Sequence, residues 1–111
     1  MGLEIITDDT IDTVLSDNKY TVIDFWAEWC GPCRMLTPII EQLAIANDDV
    51  FIGKVNVSDN PISSRNYEIT SIPCIIFFNY GEEIGRIKGL MPKAQLQKSI
   101  DALKRRESDT L

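Results

Sequence analysis

Tyr20-Thr21-Val22-Ile23-Asp24-Phe25-Trp26-Ala27-Glu28-Trp29-Cys30-Gly31-Pro32-Cys33 contains a change of pattern that organises the whole chain. Tyr20 to Trp26 is almost wholly apolar, which predicts a strand covered on both faces of a sheet. From about Cys33 to Asn47 the apolar set Leu36, Ile39, Ile40 and Leu43 recurs at helical spacing, so a helix follows almost at once. Two cysteines three residues apart therefore stand at an exposed strand-to-helix junction. There the first helical turn offers unpaired N–H groups and the positive end of its dipole.

The pattern extends in both directions. Leu3-Glu4-Ile5-Ile6 reads as a short strand, and Thr7 or Asp8 as the cap of a helix carrying Ile11, Val14 and Leu15. Pro38, inside the central helix, should bend it, since it lacks an N–H and crowds the preceding turn. Val50 to Val57 is a third strand, and Asn60-Pro61 starts a short helix with proline in its favoured first turn. Cys74 to Asn79 and Glu83 to Lys88 are two strands joined through Tyr80-Gly81-Glu82, close enough for a hairpin. Pro92 opens a last helix with Leu96, Ile100 and Leu103 on its inner face, and residues after Arg106 are expected to fray. The order β-α-β-α-β-α-β-β-α predicts an α/β fold. Its mixed five-stranded sheet has the first three strands parallel and the last two antiparallel, with four helices covering both faces. The 111 residues fit one domain, 1–111, with 107–111 as a frayed tail.

Composition narrows the function classes. A net charge of −6 argues against nucleic acid or an anionic membrane as partner, because both require clustered cations. The one basic cluster, Lys104-Arg105-Arg106, falls where the last helix should end and suits its dipole there. Met1-Gly2-Leu3-Glu4 has no basic n-region or long apolar run, and Ile6 stands where a myristoylation motif wants Ser or Thr. The longest apolar run, Ile72 to Phe78, is strand-sized. The expectation is a cytoplasmic, monomeric protein that spans no membrane.

Three cysteines is an odd count for a disulfide-stapled domain, so a C-x-x-C here reads as redox or metal chemistry. Zinc wants four ligands, and this chain has no histidine and one further cysteine. A purely structural pair is the other alternative, and the junction argues against it. Disulfide reduction needs a thiolate attacker and a second thiol to resolve the mixed disulfide. Cys30, at the helix start, should have a lowered pKa and attack first; Cys33, one turn further in and more buried, should resolve. Pro32 presets the first helical turn and Gly31 leaves the nucleophile uncovered. Asp24 is the sole charge in Val22-Ile23-Asp24-Phe25-Trp26, hence buried, and an unpaired buried carboxylate tends to hold its proton at neutral pH. Lys54, alone among Ile52-Gly53-Lys54-Val55, is expected on a neighbouring strand. The pair can be read as a self-balancing buried ion pair or as acid–base machinery behind Cys33.

Asp24 to Cys33, with Ile72-Pro73, the hairpin Gly81 and Gly89 at matching spacing, resembles the thioredoxin family over about Ile5 to Leu103. The resemblance implies the thioredoxin fold and a redox-active Cys30–Cys33 disulfide with no bound cofactor or metal. It implies a general reductant of protein disulfides, recycled by thioredoxin reductase and so drawing indirectly on NADPH. It also implies a cis Ile72-Pro73 bond facing the disulfide, with Ile72 as the backbone edge on which a substrate peptide lies. Trp29, Gly31, Pro32, Pro73, Gly89 and Leu90 would complete a shallow apolar groove. Asp24, tuned by Lys54, would accept the proton of Cys33. Trp26 should pack beneath the disulfide and Trp29 lie partly exposed at the groove.

Three positions depart from the family pattern. Cys74 stands where Thr is usual, as a small buried residue or as a third oxidisable thiol. Lys88 replaces a small or apolar residue, either biasing the groove toward acidic substrates or pointing to solvent, and Ser58 replaces Asp as a neutral surface change. Relatives that act as oxidases or isomerases usually carry histidine between the cysteines, and this chain has none. A non-catalytic role as a subunit or chaperone-like clamp remains compatible with an intact C-x-x-C.

Overall fold

The computed structural model describes residues 3–109, with side chains through residue 105. In chain order the elements are β1 (Glu4–Ile5), α1 (Ile11–Asp17), β2 (Tyr20–Trp26), α2 (Gly31–Ala46), β3 (Phe51–Asn56), α3 (Pro61–Asn66), β4 (Cys74–Asn79), β5 (Glu82–Lys88) and α4 (Lys93–Asp109). They form one mixed sheet ordered β1-β3-β2-β4-β5. β3 pairs parallel with both β1 and β2, while β4 runs antiparallel to β2 and β5. This is the expected topology, with β2 at the centre. No helix among the described residues is long and apolar enough to cross a membrane.

Alternation along β2 sorts the core into two layers. Val22 joins Leu36, Ile40 and Leu43 of α2 and Leu96, Ile100 and Leu103 of α4 on one face. Ile23 and Phe25 join Ile11 and Leu15 of α1, with Tyr67 and Ile69 packed alongside, on the other. Successive strand residues point to opposite faces, so Asp24 and Trp26 share the α2 side with Val22.

Two local features hold the sheet's outer parts. A Cβ on Gly53 would lie 2.7 Å from Ile6 Cδ1 and 2.9 Å from the Glu4 carbonyl oxygen, so glycine is what lets β1 approach β3. Tyr80 and Gly81 both have positive φ, 52° and 79°, as a tight two-residue hairpin turn between β4 and β5 requires.

Three expectations need correction. α1 starts at Ile11 with Thr10 at its N-cap position, not at Thr7 or Asp8. Asp8 instead accepts hydrogen bonds from the backbone N–H groups of Ser63 (2.7 Å) and Ile62 (3.2 Å), capping α3 across 55 and 54 residues of sequence. α4 continues through Asp109, so 107–109 are helical rather than frayed, while 110 and 111 lie outside the described residues, as do Met1 and Gly2. Lys104 accordingly sits inside the helix, its Nζ 2.9 Å from Asp49 Oδ2, and it is this carboxylate rather than the helix end that it serves.

Candidate functional site

Cys30 is the N-cap residue of α2, with Pro32 in the first turn behind it. Its Sγ accepts the backbone N–H of Cys33 at 3.2 Å, the bond an N-cap oxygen would make elsewhere. The two sulfurs are joined in a disulfide. Cys30 is only 6% exposed, because Trp26, Ala27, Val57 and Ile72 pack around the pair. The expected exposed attacker is thus a nearly covered sulfur, although Cys33, fully buried, is the more enclosed of the two. An ideal Cβ on Gly31 would meet nothing within 4 Å, so the surface at this position is open.

The Ile72 segment meets the disulfide, and the Gly89 and Trp29 segments meet Ile72-Pro73 in turn. The Ile72-Pro73 peptide bond is cis, and the Ile72 carbonyl oxygen lies 3.8 Å from Cys30 Sγ. The Gly89 N–H donates to the Pro73 carbonyl at 2.8 Å, and Gly89 takes the left-handed φ of 95° that glycine allows. Leu90 follows it at the surface. Trp29 is exposed and shares with Ile72, Val57, Ile69 and Thr70 a hollow of about 340 Å³. Of the residues expected around the groove, Ile72 packs against the disulfide, Trp29 shares a hollow with it, and Gly89 is tied to the segment through Pro73.

Val57, Ile69 and Thr70 are lining residues to which no sequence pattern pointed. Ser58, expected to be a neutral surface change, also has a part in the site. Trp29 Nε1 donates to Ser58 Oγ at 3.2 Å, and the Ser58 N–H is itself held by Asn56 Oδ1 at 2.9 Å. Ser58 anchors the exposed indole, a contact spanning 29 residues for which no local pattern exists.

Asp24 is 1% exposed, and neither carboxylate oxygen has a hydrogen-bond partner. Burial pushes its carboxyl up to about 7, against the pull of the Lys54 charge, which lowers it. Lys54 stands opposite Asp24 in the β2–β3 register, as expected. Its ammonium, however, lies 4.5 Å over the Trp26 ring centroid, a cation–π contact, so the two do not form a hydrogen-bonded ion pair. Among ordinary buried carboxylates an orphan of this kind is rare, since the desolvation it suffers goes uncompensated.

Cys74 is buried on the opposite face of the sheet among Ile6, Phe25, Ile76 and Phe78, and burial raises its thiol above the ordinary value. Lys88 stands opposite Cys74 in the β4–β5 register and is exposed.

A buried disulfide at a helix N-terminus, a cis-proline segment against it and a lone buried carboxyl on the α2 side of the sheet make a site for exchanging two electrons between thiols and a disulfide. Comparison with known proteins agrees. The sequence model of the Thioredoxin family matches residues 2–102. Thioredoxin of Chlamydia pneumoniae is 42% identical over 99 residues, covering 89% of this chain and 96% of that protein. Thioredoxin of Mycobacterium tuberculosis is 41% identical over 97 residues, covering 86% of this chain and 84% of its own. A mutant thioredoxin from Halobacterium salinarum superposes with a TM-score of 0.86 at 31% identity, over 92% of this chain and 90% of that one. With this fold, this disulfide and these relatives, the chain belongs to the thioredoxin family and is a protein thiol–disulfide oxidoreductase.

Proposed function

We propose that the chain works as a general reductant of protein disulfides in the cytoplasm, recycled by a thioredoxin reductase that draws on NADPH. The observation that carries this reading is Cys30 Sγ in the N-cap position of α2, accepting the Cys33 N–H. Once the disulfide is open, that N–H and the helix N-terminus favour the thiolate of Cys30 over the thiol.

The thiolate attacks one sulfur of the substrate disulfide; the substrate's other sulfur leaves as a thiolate, and a Cys30–substrate mixed disulfide forms. The substrate segment lies as an added strand along the Ile72 backbone, bordered by Trp29, Gly31, Pro32, Pro73, Gly89 and Leu90. Cys33 then attacks Cys30 Sγ, the second substrate sulfur leaves, and the Cys30–Cys33 bond is restored. Two electrons have passed from the protein dithiol to the substrate. Asp24 takes the Cys33 proton in this step: a carboxyl balanced near 7 suits general-base work at neutral pH, and the Lys54 charge keeps it from rising further.

Insulin reduction coupled to NADPH and thioredoxin reductase tests the reading, with Cys30→Ser as the control. Steady turnover by the native chain and none by the variant is expected. No turnover by the folded native protein overturns it.

A further inference from the structure

The sequence has three methionines, Met1, Met35 and Met91, and the two internal ones line a single surface hollow of about 400 Å³ with Ile39, Leu90 and Pro92. Met35 is 63% exposed and Leu90 43%. Isolated exposed apolar side chains are ordinary. A hollow that gathers five apolar side chains is less so: Ile39 and Met91 are partly buried against the α2–α4 core, while Met35, Leu90 and Pro92 stay exposed, Met35 lying off the face that Leu36, Ile40 and Leu43 turn inward.

Leu90, which lines the hollow, links it through the chain to the segments of the redox site. Leu90 follows Gly89, Gly89 holds the Pro73 carbonyl, and Pro73 follows the Ile72 carbonyl that lies against Cys30 Sγ. Because so little of Cys30 is exposed, a substrate sulfur reaches it only if the chain carrying that sulfur lies over these same segments. In an extended chain, side chains two residues apart point to the same side about 7 Å from each other. A substrate segment seated at Cys30 thus extends side chains toward both flanks: the Trp29–Ile72 hollow on one, the methionine hollow on the other.

We propose that the hollow lined by Met35, Ile39, Leu90, Met91 and Pro92 is a second binding subsite, which takes an apolar side chain from the protein segment whose disulfide Cys30 attacks. The proposal rests on the reductant reading above and adds a substrate preference to it. Methionine suits the role because its unbranched, polarisable side chain adapts to differently shaped partners, as a protein acting on many disulfides requires.

The test uses two synthetic peptides with one cysteine in a disulfide to a chromogenic thiol, identical except that leucine or serine flanks the cysteine at two residues on either side. The native chain should reduce the leucine peptide with a kcat/KM about fivefold higher. Met35→Glu should remove most of that preference by lowering the leucine value alone. In parallel, Cys33→Ser is labelled with 13C-methyl methionine and trapped as the mixed disulfide with each peptide. The Met35 and Met91 methyl signals, assigned with Met35→Leu and Met91→Leu, should shift with the leucine peptide and not with the serine peptide. Equal rates for both peptides, or unshifted methyls in the leucine complex, overturn the subsite and leave the reductant reading standing. Reduction of neither peptide by the native chain overturns both.

Discussion

Asp8 and Asp24 are both aspartates held by the fold, and they are treated in opposite ways. At the junction of the β1–α1 link with α3, burial works to raise Asp8, but the hydrogen bonds from Ser63 and Ile62 and the nearby Arg65 charge outweigh it and leave the carboxyl below its ordinary range. Under α2, Asp24 receives no hydrogen bond at all, and desolvation dominates. The first carboxylate closes a helix end. The second is kept without a partner on the sheet face that α2 covers. A hydrogen-bonded carboxylate contributes to the fold, whereas a buried one without a partner costs stability.

The contrast can be broken experimentally, and Asp24→Asn has the largest expected effect. The folded carboxyl binds its proton more tightly than the unfolded one, so native stability falls as pH rises from about 4 to 7 and the full penalty persists above 7. A rise from 3.8 to about 7 corresponds to a penalty of up to about 4 kcal/mol. In urea unfolding at pH 8 the Asp24→Asn variant should exceed the native chain in stability by up to that amount, with the difference vanishing below pH 4. Mixed-disulfide resolution above neutral pH should slow on the order of a hundredfold. A variant that is no more stable at pH 8 than the native chain removes the distinction between the two aspartates.

Asp8→Ala should act in the reverse sense. A lowered carboxyl stabilises the fold above its unfolded value of 3.8 and ceases to as pH falls through the folded value. The variant should melt earlier at pH 7 and match the native chain in strong acid, with insulin reduction retained. Lys54→Met has the smallest effect of the three. Without that positive charge the Asp24 midpoint should climb above 7, read from the pH profile of resolution; a midpoint that stays put means Lys54 does not act on Asp24.

Much of this was legible in advance, and the exceptions share a cause. β2 reads as a strand from Tyr20 to Trp26 because both of its neighbours are strands and both of its faces are covered, which leaves a continuous apolar run. Asp24 declares itself as the lone charge in that run. The Cys30 junction is equally local, since strand, N-cap and first-turn proline are consecutive. By contrast, Asp8 looks like a cap for the helix next to it and serves one more than fifty residues away. Ser58 looks like a surface change until Trp29 is found bonded to it. Met35 falls outside the periodic face that predicted α2, and Met91 lies in a link with no periodicity. Each of these depends on which distant segments meet, and period and spacing describe only neighbours.

The two outer strands of the sheet have a consequence for aggregation. β1 offers just two residues at one edge, and β5 lines the other with Glu82, Glu83, Arg86 and Lys88. Short strands and charged side chains are what prevent a sheet edge from templating another chain. Both edges of this sheet are thereby shielded from pairing with another chain.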